Sequence, residues 1–226
     1  MNVLEYTLPS APHRRLLAIE AGIAATWGYL CCDTLANAAV VIDVPQDSSD
    51  FFLTKAAELG VRIQAIWLTH SHWDHTADAA ALTKATSAPI LVHKADEYRL
   101  AEPNKHTVWR LPFEIDGVTA GGYFEHGSWV ECGDWKFEVR HTPGHTEGSV
   151  CFIEHDYSIA IVGDTLFSGS VGRTDLPGGD TETLLASIGR ELMSLSERTV
   201  IFPGHGECST IGEERISNPY LAGITV

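Results

Sequence analysis

Positive charge is scarce in this chain: 15 lysines and arginines stand against 30 aspartates and glutamates, a formal net charge of −15. A nucleic-acid partner needs a footprint of basic side chains to displace condensed counterions, so this balance argues against one. A small anionic substrate is still compatible, because salt screens the whole-protein field within about 10 Å and local charges decide. Paired cysteines are lacking too. Cys31, Cys32, Cys132, Cys151 and Cys208 are odd in number, and none forms a C-x-x-C pair. Free thiols in a reducing cytosol are expected. There is no apolar run of about 18 residues, so no membrane-spanning helix is expected. Residues Met1 to Leu17 are broken by Glu5, Pro9, Pro12, His13, Arg14 and Arg15, which excludes the continuous apolar core of a secretory signal. These absences point to a cytoplasmic protein with neither nucleic acid nor membrane as partner.

What is present suffices for a globular domain: 226 residues, 44% of them apolar, can bury a core without disulfides. Ala38 to Val44 is an apolar run ending at Pro45, the pattern of a buried strand. Ser49 caps an expected helix to Leu59, which Gly60 stops. Val61 to Leu68 reads as a strand, Asp74 to Thr86 as an alanine-rich helix, and Ile90 to Val92 as a short strand. From Glu97 to Gly133 prolines and glycines predict loops and short strands. Trp135 to Arg140 alternates apolar and polar, as a half-buried strand does. Two strands follow, Ser149 to Ile153 and Ser158 to Val162, then a helix from Asp180 to about Leu195, and a last strand, Thr199 to Phe202. The mixture predicts a layered α/β domain.

The chemistry is concentrated in His70-Ser71-His72-Trp73-Asp74-His75. Three imidazoles and a carboxylate within six residues are good donors for first-row metals. Further candidates follow other strand ends: His145 in Thr142-Pro143-Gly144-His145, Asp164 in Gly163-Asp164-Thr165, and His205 in Pro203-Gly204-His205-Gly206. Five histidines and two aspartates exceed what one four-coordinate zinc takes from a protein. They fit two metals with a shared carboxylate. His70 and His72, two apart, point the same way on an extended backbone.

These motifs, with Gly163-Asp164-Thr165-Leu166-Phe167 and Gly172-Arg173-Thr174-Asp175, resemble the metallo-β-lactamase superfamily, and within it the small bacterial glyoxalase II-like group. The resemblance spans about Ala18 to Ser209. It implies an αβ/βα four-layer sandwich, here one domain over residues 1–226, since only a short tail follows His205 where glyoxalase II carries a helical domain. It implies one metal on His70, His72 and His145, a second on Asp74, His75 and His205, and Asp164 as the bridge. The metals would be two divalent ions, zinc first, with iron or manganese accepted by the same donors. The implied activity is hydrolysis of S-acyl glutathione-type thioesters by a metal-activated hydroxide, with Asp74 and Asp164 as catalytic carboxylates. An iron-dependent persulfide dioxygenase-like enzyme and a lactonase or β-lactamase-like hydrolase share the donor set.

Around this core, Arg173 is read either as meeting a substrate carboxylate or as a loop ion pair with Asp175. Asp43 either orients a loop near the metals or caps its strand. Trp73 is expected to pack beneath the site. His93 and His141 are expected to pack or support, and His13, His106, His126 and His155 to lie on the surface.

Overall fold

The first half of the chain builds one sheet. In this computed structural model, which describes residues 2–223, seven strands lie in sequence order: β1 (Asn2–Thr7), β2 (Arg14–Ala21), β3 (Thr26–Asp33), β4 (Ala38–Ile42), β5 (Arg62–Trp67), β6 (Ile90–His93) and β7 (Gly122–Phe124). Pairing is antiparallel from β1 to β4 and parallel from β4 to β7. The parallel steps cross over through α1 (Ser49–Leu59), through α2 (Trp73–Thr76) and α3 (Ala79–Thr86), and through a segment that holds the one-turn α4 (Pro103–His106). The second half adds β8 (Trp129–Cys132), β9 (Trp135–His141), β10 (Val150–Glu154) and β11 (Ile159–Gly163). A small ribbon, β12 (Leu166–Phe167) with β13 (Ser170–Val171), and α5 (Thr181–Ser187) then lead to β14 (Val200–Pro203), β15 (Ser209–Thr210) and α6 (Ile211–Ser217). The six other strands of this half form a second sheet in the order β15-β14-β11-β10-β9-β8.

The two sheets face each other. Val40 and Ile42 of β4 meet Phe137, Phe152 and Ile161 of the second sheet in a shared core. Their neighbours Ala39 and Val41 turn the other way, toward Phe52 of α1 and Leu82 of α3. On the far side, Ala160 and Val162 of β11 pack with Leu184 of α5 and Ile211 of α6. The layers are therefore helix, sheet, sheet, helix, the expected αβ/βα sandwich. Strands buried on both faces have no polar side to alternate with, which explains the unbroken apolar runs.

Three departures from expectation have local causes. The helix expected from Asp74 to Thr86 is broken between α2 and α3. There the His75 carbonyl accepts from Val44 N, and Asp78 N donates to Val44 O, so the β4–α1 loop takes the backbone groups that a continuous helix would use. Helix α1 is entered from Ser48, and Asp78 accepts from Ser49 N at 3.0 Å, so the cap comes from another loop. The helix from Asp180 runs as α only to Ser187 and widens into a π-type turn over Ile188–Leu192. Gly60 stops α1 in the left-handed conformation (φ 66°), as expected.

Candidate metal centre

Four strand ends from the two sheets meet at one edge. β5 runs into His70, β9 into His145, β11 into Asp164 and β14 into His205. The sheets are tied at this edge by backbone bonds: Val150 N donates to Thr69 O, and Trp27 N donates to Gly204 O, each at 2.8 Å. All seven expected donors lie together. The ligating atoms of His70, His72 and His145 fall within 4.8 Å of one another, as do those of Asp74, His75 and His205, and those of His70, His75 and Asp164. Asp164 lies between the triads, with Oδ2 3.5 Å from His145 Nε2 and 3.5 Å from His205 Nε2.

The outward-facing nitrogen of four histidines is committed elsewhere. His75 Nδ1 donates to Asp43 Oδ2 at 2.7 Å, His145 Nδ1 to the Arg173 carbonyl at 2.7 Å, and His205 Nδ1 to the Ala25 carbonyl at 3.2 Å. His70 Nδ1 faces Thr69 Oγ1 at 3.1 Å, and that hydroxyl gives its own proton to Asp43. Each Nε2 therefore turns a lone pair inward, the orientation that support of a metal ligand requires. His145 Nε2 lies 3.2 Å from His70 Nε2, and two lone pairs at that distance repel unless a cation takes both. His75 Nε2 and Asp164 Oδ1 are buried with no hydrogen-bond partner; they sit 3.2 Å apart but are not aligned to bond. Buried orphans of this kind cost stability unless an ion satisfies them. The donor set and its geometry fit a pair of divalent metals.

Electrostatics agree. Burial, then the imidazoles of His75, His145 and His72, hold His70 well below its ordinary range. Burial and His145 push His72 down to about 3. Burial works to raise the Asp74 carboxyl, but His75 and His205 outweigh it and bring the group to about 2. Asp164 is likewise held low by His75, His205 and His145 against its burial. Burial opposes charge on His75 too, yet Asp164, Asp43 and Asp74 raise it well above the ordinary value. Three carboxylates around one buried imidazole make a site that calls for cations.

Several supports had no motif to reveal them. Asp96, fully buried, accepts from Ser71 N (2.8 Å), Ser71 Oγ (2.9 Å), Thr146 Oγ1 (3.0 Å) and Gly148 N (2.7 Å), and pairs with Arg99. It joins the His70–His72 loop to the His145 loop from the turn Lys94–Arg99, where the sequence shows only loop composition. Thr26 Oγ1 donates to Asp74 Oδ2 at 2.9 Å. Asp43 performs both roles read for it, ending its strand and bonding Thr69 and His75.

Trp73 departs from expectation. It is half-buried and lines a cavity of about 260 Å³ over the donors, with Trp109, Leu176 and Arg173. Arg173 is clamped by Asp175 through two bonds of 2.8 Å, while also bordering this cavity. His93 and His141 stack on each other at 4.0 Å, a packing role as expected. His106, His126 and His155 are exposed, whereas His13 is half-buried beside Asp134. No helix among the described residues is long and apolar enough to cross a membrane.

With this geometry in place, comparison with known proteins is informative. The family model described as the metallo-beta-lactamase superfamily matches residues 33–205. The hydroxyacylglutathione hydrolase GloC of Haemophilus influenzae is 36% identical over 195 residues, 85% of this chain and 91% of that protein. Among solved structures, the BLEG-1 B3 metallo-beta-lactamase superposes with a TM-score of 0.84 at 33% identity, covering 92% of this chain and all of its own. TTHA1623, determined in a di-iron-bound form, gives 0.73 at 32% identity over 96% of this chain and all of its own.

Proposed function

This chain belongs to the metallo-β-lactamase superfamily, a group of metallo-hydrolases, and from that premise we propose that it is a glyoxalase II-like thioesterase. It would cleave S-acyl glutathione-type thioesters with two divalent metals, zinc first, within one domain over residues 1–226. A cytoplasmic setting suits its five free cysteines, four of them buried. The observation that carries the reading is the inward set of lone pairs, completed by the buried orphans His75 Nε2 and Asp164 Oδ1, on a chain similar to a hydroxyacylglutathione hydrolase along most of its length.

In this reading His70, His72 and His145 hold one ion, Asp74, His75 and His205 the other, and Asp164 reaches both. Metals bound there supply a water ionisable near neutral pH and a Lewis acid for a carbonyl oxygen. The chain's own residues do the rest. Thr26 Oγ1 fixes Asp74 through Oδ2. A carboxylate held in that way is oriented to receive a proton from water during attack. The leaving thiol departs as thiolate and needs little general-acid help, so the absence of a further acid among the donors is no obstacle. Trp73, Trp109 and Leu176 give the cavity apolar walls that exclude bulk water.

The likeness to a B3 metallo-beta-lactamase favours β-lactam hydrolysis as a second reading, and the di-iron form of TTHA1623 shows that the metal is not dictated by the fold. A substrate panel on metal-analysed protein separates these readings. It should contain a glutathione thioester, glutathione persulfide with oxygen uptake recorded, a lactone and a β-lactam. Turnover of the thioester above the others is expected. Oxygen consumption with persulfide, or faster β-lactam cleavage, contradicts the proposal.

A further inference from the structure

The cavity over the metal donors is apolar on one side and carries a single cationic side chain, Arg173. That guanidinium is already spent: both of its bonds to Asp175 are 2.8 Å long. Its carbon lies 5.2 Å from the centre of the Trp109 ring, within cation–π range. Arg173 also supplies the carbonyl that orients His145. Asp175, Arg173 and Trp109 thus form a stack that begins at a metal donor and ends at the cavity mouth. Trp109 remains 46% exposed, so its indole is available to a ligand. Trp73 stands in the same cavity and is backed by Phe113 at 6.1 Å. Arg99 lines the adjoining pocket but is paired with Asp96 and Glu147, and Arg110 lies in a neighbouring groove with Glu114.

A cavity of about 260 Å³ is at the small end for ligand sites and has room for an acyl group beside the donors. We propose that Trp109, held by the Arg173–Asp175 pair, and Trp73 form the acyl subsite and select apolar, planar acyl groups over small hydroxylated ones. This rests on the thioesterase reading and names the acyl half of its substrate. Against the wall of Trp109, Trp73 and Leu176 a small hydroxyacyl group offers little surface to pack, whereas an aryl ring gains stacking of the kind that aromatic pairs provide.

The test compares S-phenylacetyl-, S-acetyl- and S-lactoylglutathione on the metal-loaded protein. It adds quenching of tryptophan fluorescence by phenylacetate and by lactate, with or without metal. The expected kcat/KM for the phenylacetyl ester is about two- to tenfold above that for the lactoyl ester, the order expected from one aromatic contact. Phenylacetate, and not lactate, should quench. Trp109→Ala should bring the ratio near one and remove most of the quenching, Trp109→Phe should restore both in part, and Trp129→Ala, far from the cavity, should change neither rate nor ratio. A lactoyl preference, or a ratio unmoved in Trp109→Ala, overturns the subsite while leaving the thioesterase reading intact. Selective quenching without cleavage of any thioester supports the subsite and overturns the thioesterase reading.

Discussion

Asp43 shows how much one residue outside the donor set can decide. Its carboxylate accepts from Thr69 N, Thr69 Oγ1 and His75 Nδ1, and all of these groups are buried. An asparagine fits the same space but presents an amide N–H on one side. Placed toward His75, that N–H forces the imidazole proton to Nε2, where it blocks ligation. Asp43→Asn is therefore expected to fold and to lose roughly 10- to 100-fold in affinity for one metal, the usual effect of changing a ligand's hydrogen-bond partner. Titration with a chromogenic chelator measures it; unchanged affinity for both ions would contradict this role. Residues of this kind divide by legibility. The seven candidate donors were readable because histidines and aspartates fall at motif spacing after strand ends. Asp43 was readable as a strand-end acid that either orients a loop near the metals or caps its strand. Asp96 and Thr26 were not, because their partners are distant in sequence and their own neighbourhoods carry no pattern.

At the level of elements, the site depends on close backbone approach between loops. A Cβ on Gly204 would lie 2.1 Å from Asp164 Oδ1 and 2.6 Å from His75 Cε1. The loop after β14 can reach the donors only with glycine there. Gly204→Ala is expected to displace His205 and to lose the second metal, read by elemental analysis; two ions per chain in this variant would show that the approach is not required. The turn at Lys94–Arg99 makes the complementary tie through Asp96. Removing that buried carboxylate leaves Ser71 N and Gly148 N without their acceptor and takes from Arg99 one of its two carboxylates, the other being Glu147, at a cost of ~3–5 kcal/mol. Asp96→Ala should therefore lower Tm by roughly 10 °C for a chain of this size, as followed by circular dichroism. A drop no larger than that of a surface substitution would remove Asp96 from the account. Element boundaries were legible where side-chain alternation set them, as in β9, or where a glycine stops a helix, as Gly60 stops α1. They were lost where tertiary bonds intervened, as in the break between α2 and α3. β3 went unread because a strand buried on both faces lacks the alternation that marks a strand, and β1 because it is an exposed edge strand with little apolar content.

Across the whole molecule, three apolar cores hold four layers, and none of them includes a metal donor. The sandwich should then persist without metal, while bound ions add stability by mass action, about 2.7 kcal/mol at a hundredfold excess over Kd. Treatment with a strong chelator is expected to lower Tm by several degrees and to preserve the far-ultraviolet circular dichroism. Collapse of that signal would mean that the metals are structural. The four-layer architecture was legible as a resemblance carried by motifs, and from periodicity alone only as a layered α/β domain. The substrate was the least legible part. Its cavity is walled by Trp109, in a segment where composition announces only a loop, and by Trp73, which was expected to pack beneath the site.

The central claim is that the donors gathered at the sheet edge form one two-metal hydrolytic site with Asp164 shared between the ions. The most direct measurement is metal content per chain alongside thioester hydrolysis, for the purified protein and for Asp164→Ala. The account predicts two equivalents and turnover in the unaltered protein, with metal content reduced and hydrolysis at background in the variant. Equal metal content and equal rates in the two would contradict it.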